Sequence, residues 1–221
     1  MTKNSQDRRN PRRPAFFTPL SMDSRSGSPS LDPAQVTELA HETAAVIVRT
    51  GRAAHDPGLT AGLVALVDDL GLSTVAELWA DCPARTLPGT LWRLYALREW
   101  VCRDAQGASA DYAAGIRFAE VPHVVAGVAE PLGPAELREL TDAILTGVFE
   151  ADLAIALERA AGFCRVVAAG RAQRANDSDE GSVDVHDPLW GSAQTRRAAS
   201  LLTTADDLQT CARLWRKGDL V

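Results

Sequence analysis

Four dipeptides set the architecture of this chain, because each is a favoured start for an α-helix. Each precedes a stretch with apolar residues at helical spacing, and they are Asp32-Pro33, Asp56-Pro57, Gly133-Pro134 and Asp187-Pro188. An Asp side chain accepts hydrogen bonds from the unpaired N–H groups of the first turn, and Pro at the first helical position loses no hydrogen bond. The pattern predicts a chain that folds by packing helices against one another.

The fold class follows from the spacing of the apolar residues. They recur every three or four positions, and no segment of useful length shows the alternation typical of a strand. For residues 31–221 we predict an all-α domain, an irregular multi-helix bundle. Its helix over 88–103 is apolar on nearly all sides and belongs at the centre. We expect the first helix to end at Gly51 and the second at Gly71, and we expect the polar, acidic segment 176–187 to be a mobile loop.

The helix predicted to begin at Leu153 carries small side chains along one side. Small residues let a second helix approach closely. The residues of this stripe include Ala156, Ala160, Ala161 and Ala168. We therefore expect another helix to pack tightly against this one.

Residues 1–30 differ from the rest of the chain in charge and pattern. They carry six Lys or Arg against two Asp, a net charge of +4, whereas the remainder carries −10. Because they lack apolar periodicity, they cannot bury enough surface to offset the entropy of ordering. We predict a disordered basic tail. The charge asymmetry favours a role in solubility alone, and the alternatives are contact with an acidic protein or, less favoured, with nucleic acid. The candidate residues for these electrostatic contacts are Arg8, Arg9, Arg12 and Arg13.

The four cysteines are separated by 20, 62 and 47 residues, with no CxxC pair and no neighbouring His to complete a zinc set. Three of them fall in helical patterns among apolar residues, so we expect reduced thiols rather than disulfides. No apolar segment reaches the length of a signal peptide or of a membrane span. These features lead us to expect a cytoplasmic protein with no membrane contact.

Motifs that would carry catalysis or hold a cofactor are not recognisable in the sequence. It contains no phosphate-binding loop, no nucleophile elbow and no HExxH motif. The adjacent acidic pairs at 68–69 and 206–207 would point about 100° apart on a helix, which does not suit an acid and base pair. We therefore expect no metal and no cofactor, and we favour a non-enzymatic role over catalysis.

The densest cluster of aromatic and basic residues lies in the central predicted helix. A step of five residues turns a helix by about 500°, so Arg93, Arg98 and Arg103 should point in different directions. This favours a core helix with flanking ion pairs over a nucleic-acid surface. The candidates for contact with a partner or ligand are Trp92, Tyr95, Arg98, Trp100 and His123, with Arg98 as the contact for an anion.

Three segments of the chain resemble a known group of proteins. They are VIVRTGR at 46–52, LWRLYALREW at 91–100 and ARLWR at 212–216. Together they are similar to small all-helical actinobacterial proteins with no assigned activity, some of which are labelled RNA polymerase β subunit or thymidine phosphorylase. The motifs of neither enzyme occur here. The resemblance implies a helical fold and brings no catalytic residues.

Two functions remain open from the sequence. The first is a non-enzymatic adaptor or regulatory protein, whose helical surface binds a protein partner while the basic tail adds electrostatic reach. The second is a small-molecule binder or enzyme with a pocket between helices near Trp92, Tyr95 and Trp100. Direct binding to DNA would require a recognition helix with basic residues on one face, and no predicted helix has one.

Overall fold

The computed structural model describes residues 32–118, 133–181 and 188–221, and these ranges contain nine α-helices and no strand. This confirms the predicted all-α fold. The predicted tail (1–30) and His123 lie outside the described residues. The helices are α1 (Pro33–Ala54), α2 (Pro57–Val64), α3 (Leu66–Leu70), α4 (Leu72–Trp79), α5 (Leu87–Arg103), α6 (Ala105–Gly115), α7 (Pro134–Glu150), α8 (Leu153–Gly181) and α9 (Pro188–Lys217).

Capping residues account for where several of these helices begin and end. The Asp56 side chain accepts a hydrogen bond from the Gly58 N–H at 2.8 Å, and Pro57 is the first residue of α2. At the other end of this region, Gly71 follows α3 with φ of +82°, a conformation that favours glycine. Gly218 follows α9 in the same way, with φ of +79°. The predicted stop at Gly71 is confirmed, but the second predicted helix is divided into α2 and α3, so this stop ends α3.

The predicted end of the first helix at Gly51 is wrong, because α1 continues to Ala54. Gly51 is buried, and a Cβ at this position would lie 2.9 Å from side-chain atoms of both Leu63 and Phe149. Its lack of a side chain therefore permits close packing rather than a turn. The helix ends just before His55, which has φ of +48° and leads into the start of α2.

The acidic segment 176–187, predicted to be a loop, is helical in its first half, since α8 continues to Gly181. The Gln173 side chain donates a hydrogen bond to the Asp177 carboxylate at 2.7 Å, a contact between residues four apart that supports a helix. Asn176 and Asp177 are exposed, so their polarity reflects a helix in contact with solvent. Residues 182–187 lie outside the described residues.

Helix α8 packs against α6, α7 and α9. Where α6 crosses it, a Cβ on Gly115 would lie 1.8 Å from the Val166 carbonyl oxygen, and a Cβ on Gly170 would lie 1.7 Å from the Asp111 carbonyl oxygen. The two backbones therefore touch directly, and they do so at Val166 and Gly170, which lie outside the predicted stripe of small residues. Helix α5, which was expected to be central, buries side chains on most of its sides, among them Leu91, Leu94, Tyr95, Leu97, Arg98 and Val101.

All four cysteines are free thiols, as predicted. Cys164 is fully buried, and burial raises the pKa of its thiol to about 12, so the group stays protonated at neutral pH. Cys82 is half-buried, and burial followed by the charge of Asp81 raises the pKa of this thiol as well. Neither Cys164 nor Cys82 therefore provides a nucleophilic thiol with a low pKa.

Candidate functional site

Arg98, the predicted anion contact, lies in the interior and is already held by two carboxylates. Its Nε donates to Asp142 at 2.6 Å, and its two terminal nitrogens donate to both oxygens of Asp68 at 3.1 and 3.0 Å. Burial would lower the pKa of Arg98, but the hydrogen bonds to Asp68 and Asp142 outweigh it and raise the pKa. The residue links α5 to α3 and α7, so it is not available to an external anion.

Tyr95 and Trp92, two further predicted site residues, also belong to the packing. The Tyr95 hydroxyl donates to the Leu63 carbonyl oxygen at 2.6 Å, and its ring stacks on Trp79 with centroids 6.2 Å apart. Burial raises the pKa of this hydroxyl, which keeps it neutral. Trp92 is half-buried against the core. Trp100 lines a cavity between α5, α6, α8 and α9, which is described below, and neither Tyr95 nor Trp92 lines it. These three aromatic residues therefore do not form one pocket.

The three arginines of α5 point in different directions, as the five-residue spacing predicts. Arg93 donates to the Gly89 carbonyl oxygen at 2.8 Å, and Arg103 pairs with Glu99 at 2.5 Å on the exposed side of the helix. Arg98 faces the interior between them. A single basic stripe for nucleic acid is therefore absent from α5.

Trp100 lines a cavity of about 690 Å³ between α5, α6, α8 and α9, here called the Trp100 cavity. Its charged lining consists of four arginines and two aspartates, and part of its wall is apolar. The charged residues are Arg93, Arg171, Arg174, Arg197, Asp104 and Asp111, and the apolar residues are Ala96, Leu97, Trp100 and Leu201.

A buried ion cluster fixes one side of the Trp100 cavity. Asp111 is only 4% exposed and accepts hydrogen bonds from Arg171 at 2.8 Å and from Arg174 at 2.6 Å. The Arg171 guanidinium also lies 5.0 Å from the centre of the Trp100 ring, within the range of a cation–π contact. Asp111 comes from α6 and both arginines from α8, so the close crossing of these helices brings the cluster together.

A second concave surface, the α1 groove, lies along the first helix and has a volume of about 770 Å³. The other walls come from the start of α5, the end of α9 and the segment after it. Leu220 is buried in this segment, and the Val221 carbonyl oxygen accepts a hydrogen bond from the Leu87 N–H at 2.9 Å. The groove residues are His41, Glu42, Ala45, Val48, Arg49, Arg52, Ala53, Leu87, Trp215, Leu220 and Val221.

Arg52 is the most unusual residue of the α1 groove. Its guanidinium carbon lies 5.7 Å from the centre of the Trp215 ring. Its Nη1 is buried, yet it donates no hydrogen bond to any residue that the structure describes. A buried N–H without an acceptor costs free energy, which makes Arg52 a group that an incoming acceptor would satisfy.

Sequence reasoning did not identify Arg52, Trp215 or Asp111. Arg52 and Trp215 are 163 positions apart, and no local pattern shows that they meet. The exposure of Leu39 and Val46 on α1, 43% and 48%, is a property of the fold and gave no signal in the sequence.

Two chemical features are absent from the described parts of the chain. No group of three His, Cys, Asp or Glu side chains within residues 32–118, 133–181 and 188–221 has the arrangement needed to hold a metal ion. In the same ranges, every helix is too short or too polar to cross a bilayer.

Comparison with known proteins found no matching family model, no matching curated protein and no matching solved structure.

Proposed function

We propose that this chain is a non-enzymatic adaptor that binds an amphipathic helical segment of a partner protein in the α1 groove, with a carboxylate of that segment on Arg52. The observation that carries the proposal is the buried Arg52 Nη1 with no acceptor among the described residues. An unpaired buried N–H costs about 1–3 kcal/mol, and a partner carboxylate would recover this free energy through a charge-assisted hydrogen bond.

The lining of the α1 groove supports an amphipathic segment as the occupant. Its lining includes the apolar residues Ala45, Val48, Leu87 and Trp215. An apolar floor beside a charged rim is the arrangement by which grooves bind amphipathic helices, whose apolar side chains occupy the floor.

The charge of the α1 groove supports an acidic occupant. The side chains that line it carry a net charge of +1, from Arg49 and Arg52 against Glu42, whereas the side chains of residues 31–221 as a whole carry −10. A basic site on an acidic body attracts an acidic segment to one place and repels it elsewhere, which favours one orientation of binding. The arginines at positions 8, 9, 12 and 13 would add attraction over about one Debye length, so association should slow as salt is raised.

Site-directed photocrosslinking in the native cell tests this proposal. A photoreactive phenylalanine analogue replaces Ala45, which is exposed on α1 and lines the groove. The matched control carries the same analogue at Ala61, which is exposed on α2 and does not line the groove. We expect position 45 to crosslink reproducibly to one partner through a segment with apolar residues at helical spacing and at least one Asp or Glu.

Several outcomes would overturn the proposal. They are crosslinks of equal yield from positions 45 and 61, a crosslinked segment without acidic residues, a crosslink only to a second copy of this chain, or no crosslink at all. A blocking variant provides an independent check, since Ala45→Glu places a carboxylate in the groove and should abolish partner binding, whereas Ala61→Glu should leave it intact. Retention of the partner by the Ala45→Glu variant would contradict the assigned site.

A further inference from the structure

We infer that the Trp100 cavity is a second, independent binding site, and that its ligand is a small organic phosphate monoester. The cavity lies near the start of α9, whereas the α1 groove contacts the end of the same helix. The two sites share no lining residue. The inference therefore does not depend on the partner proposed for the α1 groove.

The charge balance of the cavity points to a dianion. Four guanidinium groups and two carboxylates line it, which leaves a net charge of +2. Both carboxylates already have donors, since Asp111 binds Arg171 and Arg174 while Asp104 accepts the Gly107 N–H at 3.0 Å. The excess positive charge therefore has no counterpart among the lining residues. A phosphate monoester carries between one and two negative charges at neutral pH, and its three terminal oxygens accept hydrogen bonds from arginine.

Two of the arginines are held in position before any ligand arrives. The Nε of Arg171 donates to Asp111, and Nη1 of Arg93 donates to the Gly89 carbonyl oxygen. Because a guanidinium has five N–H groups, each of these side chains keeps further donors beyond the bond that orients it. Little side-chain entropy is lost when such a donor binds an anion, which favours affinity.

Arg197 carries a positive charge that neither carboxylate of the cavity neutralises. It is exposed on α9, lines the cavity, and makes no ion pair or hydrogen bond with residues 32–118, 133–177 or 193–221. Its neighbour Arg196 is also exposed but does not line the cavity. The pair therefore offers a matched substitution and control one residue apart on the same helix.

The apolar part of the wall indicates that the phosphate is attached to an organic group. Leu97, Trp100 and Leu201 line the cavity together with Ala96. A volume of about 690 Å³ far exceeds that of inorganic phosphate and falls in the range of small-molecule sites. A ligand whose phosphate binds the arginines and whose apolar or aromatic group packs on this wall would contact both the charged and the apolar lining.

Isothermal titration calorimetry of the full chain tests the inference with phenyl phosphate as the probe. Inorganic phosphate and phenol, titrated separately, measure what each half of the probe contributes. We expect phenyl phosphate to bind more tightly than either, and we expect Arg197→Gln to weaken it by roughly tenfold, because a charge-assisted hydrogen bond is lost. The Arg196→Gln control should bind phenyl phosphate as the unmodified chain does.

The same titrations contain the outcomes that would overturn the inference. Equal affinity for phenyl phosphate and phenol would show that the site does not recognise charge. Equal affinity for phenyl phosphate and inorganic phosphate would show that the site does not recognise the organic group. Equal weakening by Arg196→Gln and Arg197→Gln would indicate nonspecific attraction. No heat of binding from phenyl phosphate up to ~10 mM, a concentration at which even very weak sites fill, would exclude the site. None of these results bears on the α1 groove.

Discussion

Replacing Gly170 by Ala should destabilise the fold, although the same change stabilises an ordinary helix. A Cβ at this position would lie 1.7 Å from the Asp111 carbonyl oxygen, and Cβ contacts under 3.0 Å essentially never occur, so α6 and α8 must move apart by more than about 1 Å. Such overpacking costs about 1–3 kcal/mol or more, whereas the gain in helix propensity is only about 0.5–1 kcal/mol. The shift also disturbs the buried Asp111 cluster, so we expect a net loss of about 2 kcal/mol or more.

Urea unfolding at 25 °C, followed by far-UV circular dichroism, measures this loss. The matched control is Gly62→Ala, since Gly62 is exposed on α2 and a Cβ there would meet nothing within 4 Å. We expect the control to gain about 0.5–1 kcal/mol. A Gly170→Ala variant as stable as the unmodified chain would refute the reasoning, because it would mean that the two helices do not touch at this point.

Three further predictions follow from the ion pairs and thiols. Glu158 accepts two hydrogen bonds from Arg216, and these lower the pKa of its carboxyl. The contribution of Glu158 to stability is therefore fully present above the unfolded-state pKa of about 4.3 and is lost as pH falls through the folded-state pKa. In urea unfolding, Glu158→Gln should therefore be less stable than the unmodified chain at pH 7 and equally stable at low pH. Arg98→Met should cost about 1–3 kcal/mol, less than for a fully buried pair, because the side chains of Asp68 and Asp142 are 50% and 43% exposed; no loss would contradict the assigned ion cluster. Of the four thiols, only the two half-buried ones should react with Ellman's reagent before unfolding.

The two glycines that the sequence marks as helix ends explain why some boundaries could be predicted and others could not. Gly71 adopts positive φ directly after a helix, a role that depends on neighbouring residues and is therefore visible in the sequence. Gly51 lies inside α1, and its role depends on Leu63 and Phe149, of which the second is far away in the chain. A helix boundary that depends on neighbouring residues can be predicted from the local sequence, whereas one that depends on distant contacts cannot.

The candidate sites depend still more on distant residues. The small-residue stripe predicts that a helix approaches α8, but not that Gly115 of α6 meets Gly170 across 55 positions. Arg98 resembles a surface cation in the sequence, because the carboxylates that neutralise it are 30 and 44 positions away. Composition can identify charged and aromatic residues, whereas their availability to a ligand is decided by tertiary contacts.

A double-mutant cycle tests most directly whether the α1 groove binds an acidic segment through Arg52. A synthetic peptide with the sequence of the crosslinked segment, and a second peptide with its groove-facing Asp or Glu changed to the amide, are each titrated by fluorescence anisotropy. The titrations use the unmodified chain and the Arg52→Gln variant. A buried charge pair predicts a coupling free energy of at least about 1.5 kcal/mol between Arg52 and the peptide carboxylate. Additive effects, with a coupling free energy near zero, would contradict the account.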